Sequence, residues 1–573
     1  MKSIFSAILM CFTLVMTVMP VRAADQQTHA DIVLVNGAVY TMDAARRWAQ
    51  AIAVTNGRIS YVGTDQGAVR FAGPLSNVIN LRGKMVLPGF IDSHVHPVQG
   101  AIEESNCFLN NFETAESIQN AIADYVKEHP LDKAHEWVLG SGWALPPFGV
   151  KGPTKAVLDK LVPDRPAYIL SADCHSAWAN SKALELAGIT AFTPDPTAGR
   201  IERIGDTKEP SGTLREAAMD LVSKKAPKPD ADQLREAALS VQKELNAFGI
   251  VGVQDASVDE DTLKAYASLD DSNLLTMRVN ACMMLDPKEG EEQIDKLTKW
   301  SQKYDGNTLR VKSVKIFADG VMESKTAAML EPYVGGDAND VGILNFQPQL
   351  FKWYACKLDG AGFQIHIHAI GDRAVRVALD ALETAEKING RSDKRHHIAH
   401  LELVDAKDIN RFRDMNVTAN FQAFWAYRDK YVTELTEPML GPERSKHLYP
   451  IGSILRSGAT VVGGSDWTVS SANPLDAIQV AVTRCGLNES ADKIFLPDEL
   501  ANLPEMLAAY TINGAWLGHW DKESGSLEIG KSADLIVLDH NLFAIPAQEI
   551  HNTKVLWTLF KGRAVYRDPN FEI

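Results

Sequence analysis

Eight short apolar runs, most of them followed by a stretch of helical periodicity, constrain the fold of this chain more than any other feature. They cover residues 89–95, 250–254, 276–285, 311–318, 363–368, 397–401, 417–422 and 460–465. Amphipathic segments such as 374–387 and 405–415 separate most of them. Alternating strand and helix implies parallel strands, because each crossover returns the chain to the same end of the sheet. Eight such units suit a closed (β/α)8 barrel better than an open doubly wound sheet, and no glycine-rich dinucleotide loop is found.

The rhythm has one interruption and two flanks. An interval from about residue 100 to residue 239 separates the first two runs, far more than one crossover needs, and it carries strand-like pieces at 137–139 and 167–170. At the N-terminal end, 31–40, 50–62 and 78–87 read as strands, with Asn56-Gly57 as a hairpin turn. At the C-terminal end, 533–538 and 555–566 have the same texture, with Lys561-Gly562 as a turn. The expected fold is therefore α/β: a distorted (β/α)8 TIM barrel, a small β-sandwich built from both termini, and a subdomain inserted after the first barrel strand. The division runs 24–87 and 523–573 for the sandwich, 88–100 and 245–522 for the barrel, and 101–244 for the insert.

Residues 1–23 read as a secretory signal peptide: Lys2, an apolar run from Ile4 to Met19, then Val21-Arg22-Ala23 before the cleavage point. The apolar run is short for a membrane span. The expected protein is exported, in all expectation to a periplasm, with no membrane anchor after cleavage. Five cysteines then remain (Cys107, Cys174, Cys282, Cys356 and Cys485), scattered and without a Cys-x-x-Cys pair, which reads as small buried hydrophobes, one bridge staying open. A formal net charge of -15 argues against nucleic acid as a partner. A small-molecule substrate is expected, and a homodimer stays open.

The chemistry gathers at the ends of the apolar runs. His94 and His96 end the first, on one face of a strand because they are two residues apart. Such a pair begins a transition-metal site, most often zinc, or is simply satisfied by hydrogen bonds. Lys315 lies in the fourth run, His368 ends the fifth, His400 lies at the end of the sixth, and Asp466 follows the eighth. All fall at or near the C-terminal strand ends, the face on which barrel enzymes assemble their sites. Trp143, Phe148, Trp178, Trp425, Tyr427 and Trp467 are candidates for an apolar substrate pocket, with core packing as the alternative for each.

Several of these segments together resemble the amidohydrolase superfamily, and most closely its YtcJ-like branch, which includes N-substituted formamide deformylases. They are His94-Val95-His96, Val314-Lys315-Ile316-Phe317-Ala318-Asp319-Gly320, His368-Ala369-Ile370-Gly371-Asp372, Ile398-Ala399-His400 and Gly464-Ser465-Asp466-Trp467. Gly140-Ser141-Gly142-Trp143, the 173–181 segment and the 525–534 segment also match that branch. The resemblance implies that His94, His96 and Asp466 hold one metal ion, that His368 and His400 hold a second, and that Lys315 bridges them as a carboxylated lysine. An inward lysine paired with an acid over a mononuclear site is the alternative. His366, His396 and His397 then become structural or supporting groups, Asp319 and Asp372 orienting groups or helix caps, and His175 either a group that hydrogen-bonds the substrate or a surface or structural residue.

The expected activity is hydrolysis of a carbon–nitrogen bond other than a peptide bond, in an amide, N-substituted formamide or cyclic amide. Water activated by one or two Zn2+ ions would attack, and Asp466 would relay the proton. Ester or lactone hydrolysis on the same metal core is the alternative chemistry. A catalytically silent periplasmic binding or regulatory protein is the alternative of another class.

Overall fold

A computed structural model describes residues 29–572 except Ala134 and Ala491. The expected signal peptide lies outside the described residues. Among the described residues no helix is long and apolar enough to cross a membrane, and all five cysteines are free thiols.

All eight apolar runs form strands of one parallel sheet. In chain order they are β1 (Phe90–Val95), β2 (Ile250–Val258), β3 (Arg278–Met284), β4 (Leu309–Phe317), β5 (Gln364–Ala369), β6 (His397–His400), β7 (Thr418–Phe421) and β8 (Val461–Gly463). Each neighbours the next in sequence, from β1 to β8. The helices between them bury apolar stripes against the sheet. Asp372–Asn389, for example, buries Val375, Leu379 and Leu382 while Glu383 and Lys387 pair on its outer face.

The seam between β8 and β1 is closed by the turn after β8 rather than by a strand ladder. Asp466 donates its backbone N–H to the His94 carbonyl at 2.7 Å, and His96 donates to the Trp467 carbonyl at 3.2 Å. The Ser465 N–H reaches Asp92 Oδ1 at 3.0 Å. Gly464 makes this closure possible: a Cβ there would lie 2.6 Å from His94 Cβ and 2.7 Å from its backbone nitrogen.

Two further sheets come from the chain ends, with one refinement to the strands read from sequence. The 31–40 and 78–87 runs are each broken in two, by left-handed Asn36 (φ 54) and by Arg82-Gly83 (φ 52 and 81). The outer halves, Ile32–Val35 and Asn77–Asn80, join the hairpin of Ala51–Thr55 and Arg58–Gly63 in a four-stranded sheet. The inner halves, Ala38–Tyr40 and Met85–Pro88, join Trp48–Ala49, Leu535–Leu538, Val555–Phe560 and Arg563–Arg567 in a six-stranded sheet. Alternation in hydrophobicity continues through each corner, so only the turn residues mark the change of sheet. Buried Leu34, Ile52, Val86 and Leu535 share one apolar cluster between the two sheets.

The long interval between β1 and β2 builds another six-stranded mixed sheet, which includes Val138–Trp143, Ala167–Ser171, Ser176–Ala179 and Pro210–Glu216. It sits over the C-terminal ends of the barrel strands, where Asp173, His175 and Glu216 reach the same cavity as His94 and Lys315.

Candidate metal centre and active site

The polar residues at the strand ends converge. Asp466 Oδ1 lies 3.3 Å from His94 Nε2 and 3.2 Å from His96 Nε2. These three donor atoms fall within 4.8 Å of one another. Lys315 Nζ, from β4 across the barrel, is 3.4 Å from His94 Nε2. His400 Nδ1 is 3.9 Å from Asp466 Oδ2, and the His400 and His368 ring centres are 4.4 Å apart. His94, Lys315, His368, His400 and Asp466 are all buried.

The backbone at two of these positions is left-handed, a conformation that costs a non-glycine residue about 1–3 kcal/mol and concentrates at functional sites. Asp466 has φ 56 and His400 has φ 77. For His400 this is what turns the ring into the site. Strand alternation from His397, whose ring faces the barrel interior beside Gln254, would point Ala399 inward instead.

Hydrogen bonds leave each imidazole with a nitrogen free to ligate. His94 Nδ1 is 2.9 Å from His366 Nε2, so its Nε2 faces Asp466. His368 Nε2 donates to the Gly320 carbonyl at 3.1 Å, which leaves Nδ1 as the acceptor. Both nitrogens of His400, and Nδ1 of His96, are buried without a partner. Burial, then the nearby Lys315, pushes the His94 imidazole down to about 3, and burial likewise drives His368 and His400 far below the usual range. Neutral imidazoles at His94, His368 and His400, the last with no hydrogen bond at either nitrogen, gathered around a carboxylate fit a divalent cation.

Lys315 has no carboxylate within ion-pair distance among the described residues. Its Nζ sits 4.6 Å above the Phe317 ring. Burial lowers its pKa to about 8, against the opposing pull of Asp466.

His366, His396, Asp319 and Asp372 are each engaged by hydrogen bonds around these residues. His366 bonds His94, and its Nδ1 lies 3.4 Å from Cys282 Sγ. His396 accepts from the Ile365 N–H and pairs with Asp359 at 3.1 Å. Asp319 accepts backbone N–H groups from Ala328, Ile370 and Gly371, which pins the loop after β5, and Asp372 accepts from the Leu330 N–H.

Above the carboxylate lies a cavity of about 300 Å³, lined by His94, Lys315, His368 and Asp466 and roofed by His175 and Glu216. A smaller cavity of about 170 Å³ adjoins it and shares His175, His368, His400 and Asp466. His175 Nδ1 is 2.9 Å from Glu216 Oε2, and its ring centre is 5.0 Å from that of His368. Burial would lower the His175 pKa, but the Glu216 carboxylate more than offsets it and holds it at about 9.

The aromatic candidates divide. Trp425 lines the smaller cavity, stacked on His400 at 5.5 Å and 3°, and Tyr427 lines it too. Trp143 and Trp178 are fully buried in the inserted region, with their indole N–H groups given to the Ile169 and Thr154 carbonyls, and Phe148 packs against both. None of these three lines either cavity; the two tryptophans are core residues and Phe148 is a half-buried neighbour packed on them. Trp467 packs over Gly100 and borders a separate surface groove. Sequence reasoning missed Glu216, which reaches His175 from a strand paired with the one that follows it. It also missed Glu402, although a carboxylate two residues beyond His400 shares that strand-end position.

The amidohydrolase family profile matches residues 77–566, from the terminal sheets through the whole barrel. The chain belongs to the amidohydrolase family. Among its relatives, Protein LONG AFTER FAR-RED 3 of Arabidopsis thaliana is 31% identical over 94% of this chain and 92% of that protein. The putative amidohydrolase YtcJ of Bacillus subtilis (strain 168) is 29% identical over 92% of this chain and 98% of its own. The N-substituted formamide deformylase of Arthrobacter pascens is 28% identical over 93% and 97%. An uncharacterized metal-dependent hydrolase from Pyrococcus furiosus superposes with a TM-score of 0.67 at 26% identity, covering 89% of this chain and 99% of that one. The resemblance seen in the strand-end motifs thus extends over nearly the whole amidohydrolase fold.

Proposed function

We propose that this amidohydrolase is an exported zinc-dependent hydrolase that cleaves a carbon–nitrogen bond in a small amide, N-substituted formamide or cyclic amide. One observation carries the reading: the Asp466 carboxylate stands 3.2–3.3 Å from two imidazole nitrogens at the base of a cavity that the inserted region roofs. His94, His96 and Asp466 would hold one cation, and His368 and His400 a second. Lys315 would bridge them after its neutral amine adds to carbon dioxide, losing one proton and becoming an anionic carbamate. Bound cations supply Lewis acidity, making water a stronger acid and the scissile carbonyl a better electrophile.

The chain's own groups do the rest. His366 holds His94 in the tautomer that presents Nε2. Asp466 takes a proton from the attacking water on its carboxylate oxygen and delivers it to the departing nitrogen, which makes the amine a viable leaving group. His175, anchored through Nδ1 by Glu216, directs Nε2 into the cavity and donates to the substrate oxygen. The insert keeps bulk water from the reacting bond. The relative named for N-substituted formamide deformylation supports the choice of bond. Metal analysis of the purified protein, with a panel of amides, formamides, esters and lactones, tests the reading. Two zinc ions per chain with turnover confined to amides is the expected result; faster turnover of esters or lactones would replace it.

A further inference from the structure

The smaller cavity has a composition that the hydrolytic chemistry does not require. Its wall carries four carboxyl groups besides Asp466: Asp173, on the boundary it shares with the larger cavity, and Glu323, Glu402 and Asp429, which of the two line the smaller one alone. No lysine or arginine lines it, and the His175 imidazole on its wall is paired with Glu216. None of the four acids has an ion-pair partner among the described residues. The cations nearest in sequence are engaged elsewhere: Arg428 with Glu437 at 2.8 Å and Lys430 with Glu113 at 2.9 Å.

The acids are also short of hydrogen bonds. Glu402 is 3% exposed, and its Oε2 has no partner; Asp173 Oδ2 is likewise buried and unpartnered. Glu323, 7% exposed, accepts from Thr436 Oγ1 at 3.1 Å, and Asp429 accepts from the Val432 N–H. Withdrawing a carboxylate from water is costly unless a positive partner compensates it. The remaining wall is aromatic, from Trp425, Tyr427, Tyr431 and Tyr449. Inorganic cations favour a closed shell of oxygen ligands. Aromatic rings beside carboxylates suit an organic ammonium, which spreads its charge over N–H or N–methyl groups.

We propose that this cavity binds an alkylammonium or quaternary ammonium group carried by the substrate, so that the preferred substrates are amides with a cationic end. Because the cavity shares His368, His400 and Asp466 with the candidate metal centre, one small molecule spans both: its amide reaches Asp466 while its ammonium lies among Glu323, Glu402 and the rings. This rests on the hydrolase reading for the reaction, but not for the binding of the cation.

The test therefore has two arms, both on the zinc-loaded full chain. In the first, kcat/KM is compared for N-acetyl-1,4-diaminobutane, its uncharged counterpart N-pentylacetamide and the anionic 5-acetamidopentanoate, with the corresponding N-formyl series. In the second, tetramethylammonium binding is measured by calorimetry, with potassium and calcium chloride as competitors, for the parent protein and for E323Q and the less buried D429N. The expected results are a preference of about tenfold or more for the ammonium substrate over the neutral one, and the anion last. Tetramethylammonium should bind saturably, resist displacement by potassium and calcium, and weaken several-fold in whichever variants fold. Equal rates on charged and neutral amides without tetramethylammonium binding would overturn the cation pocket while leaving the hydrolase standing. Tetramethylammonium binding that the variants weaken, with no amide turned over, would support the pocket and sink the hydrolase. Displacement by calcium or potassium would assign the pocket to an inorganic cation and overturn the proposal.

Discussion

Asp466 carries the most chemistry for its size. It meets His94 and His96 side by side, and its own backbone N–H ties the turn to β1. D466N keeps the shape and that backbone hydrogen bond, but removes the anionic acceptor and one ligand charge. Turnover should fall by about three orders of magnitude or more, the scale on which catalysis loses a proton relay, while the circular-dichroism spectrum is unchanged. K315A separates the metal sites: metal content should drop from two ions per chain toward one, and small carboxylates such as formate or acetate should partly restore activity by filling the vacated anionic position. Full two-metal occupancy in K315A would contradict the bridging role. The ligand candidates could be picked out in the sequence because histidines and an aspartate fell at strand ends. Glu216, Glu402 and Glu323 could not, because what matters about them is the partner they face or lack across the fold.

At the level of the element, strand ends and the turns after them decide the site. The eight barrel runs were legible because buried parallel strands read as nearly continuous apolar stretches between amphipathic helices. Less legible were the two corners at Asn36 and Arg82-Gly83, where one apolar run passes from sheet to sheet without a change in its pattern. The aromatic residues of the insert misled for a related reason. Buried Trp143 and Trp178 look no different in sequence from a pocket residue such as Trp425. The β8 turn offers a direct test. In G464A the new methyl group meets the backbone of His94, so the closure must open; stability should fall by about 1–3 kcal/mol in urea denaturation, and zinc affinity should fall with it. A neutral effect on both would show that the seam is more pliant than its hydrogen bonds suggest. Asp359, in the helix Pro348–Gly360, tests a contact away from the site. Burial tends to raise its pKa, but hydrogen bonds from His396, Lys394 and Asn389 outweigh that and hold it below the ordinary range. A depressed folded-state pKa adds stability that is present above about pH 4 and lost as the pH falls below it. D359N should therefore be the less stable protein at pH 7, with the gap narrowing through acid pH in a series of urea titrations.

Over the whole molecule, sheets from both chain ends brace the barrel that carries the metal ligands. Arg278, at the start of β3, pairs with Asp534 beside the C-terminal strand Leu535–Leu538 at 3.0 Å, and both side chains are buried. Removing one partner leaves a buried charge uncompensated, so R278A should lose about 3–5 kcal/mol in chemical denaturation, more than the removal of any exposed pair. The central claim is that distant strands gather His94, His96, Lys315, His368, His400 and Asp466 around cations. Anomalous scattering at the zinc edge, from crystals of zinc-loaded protein, tests it most directly. One anomalous peak is expected among His94, His96 and Asp466, and a second beside His368 and His400, with added density on Lys315 Nζ. Zinc bound elsewhere, or no peak at these six side chains in protein whose solution zinc content is stoichiometric, would contradict it.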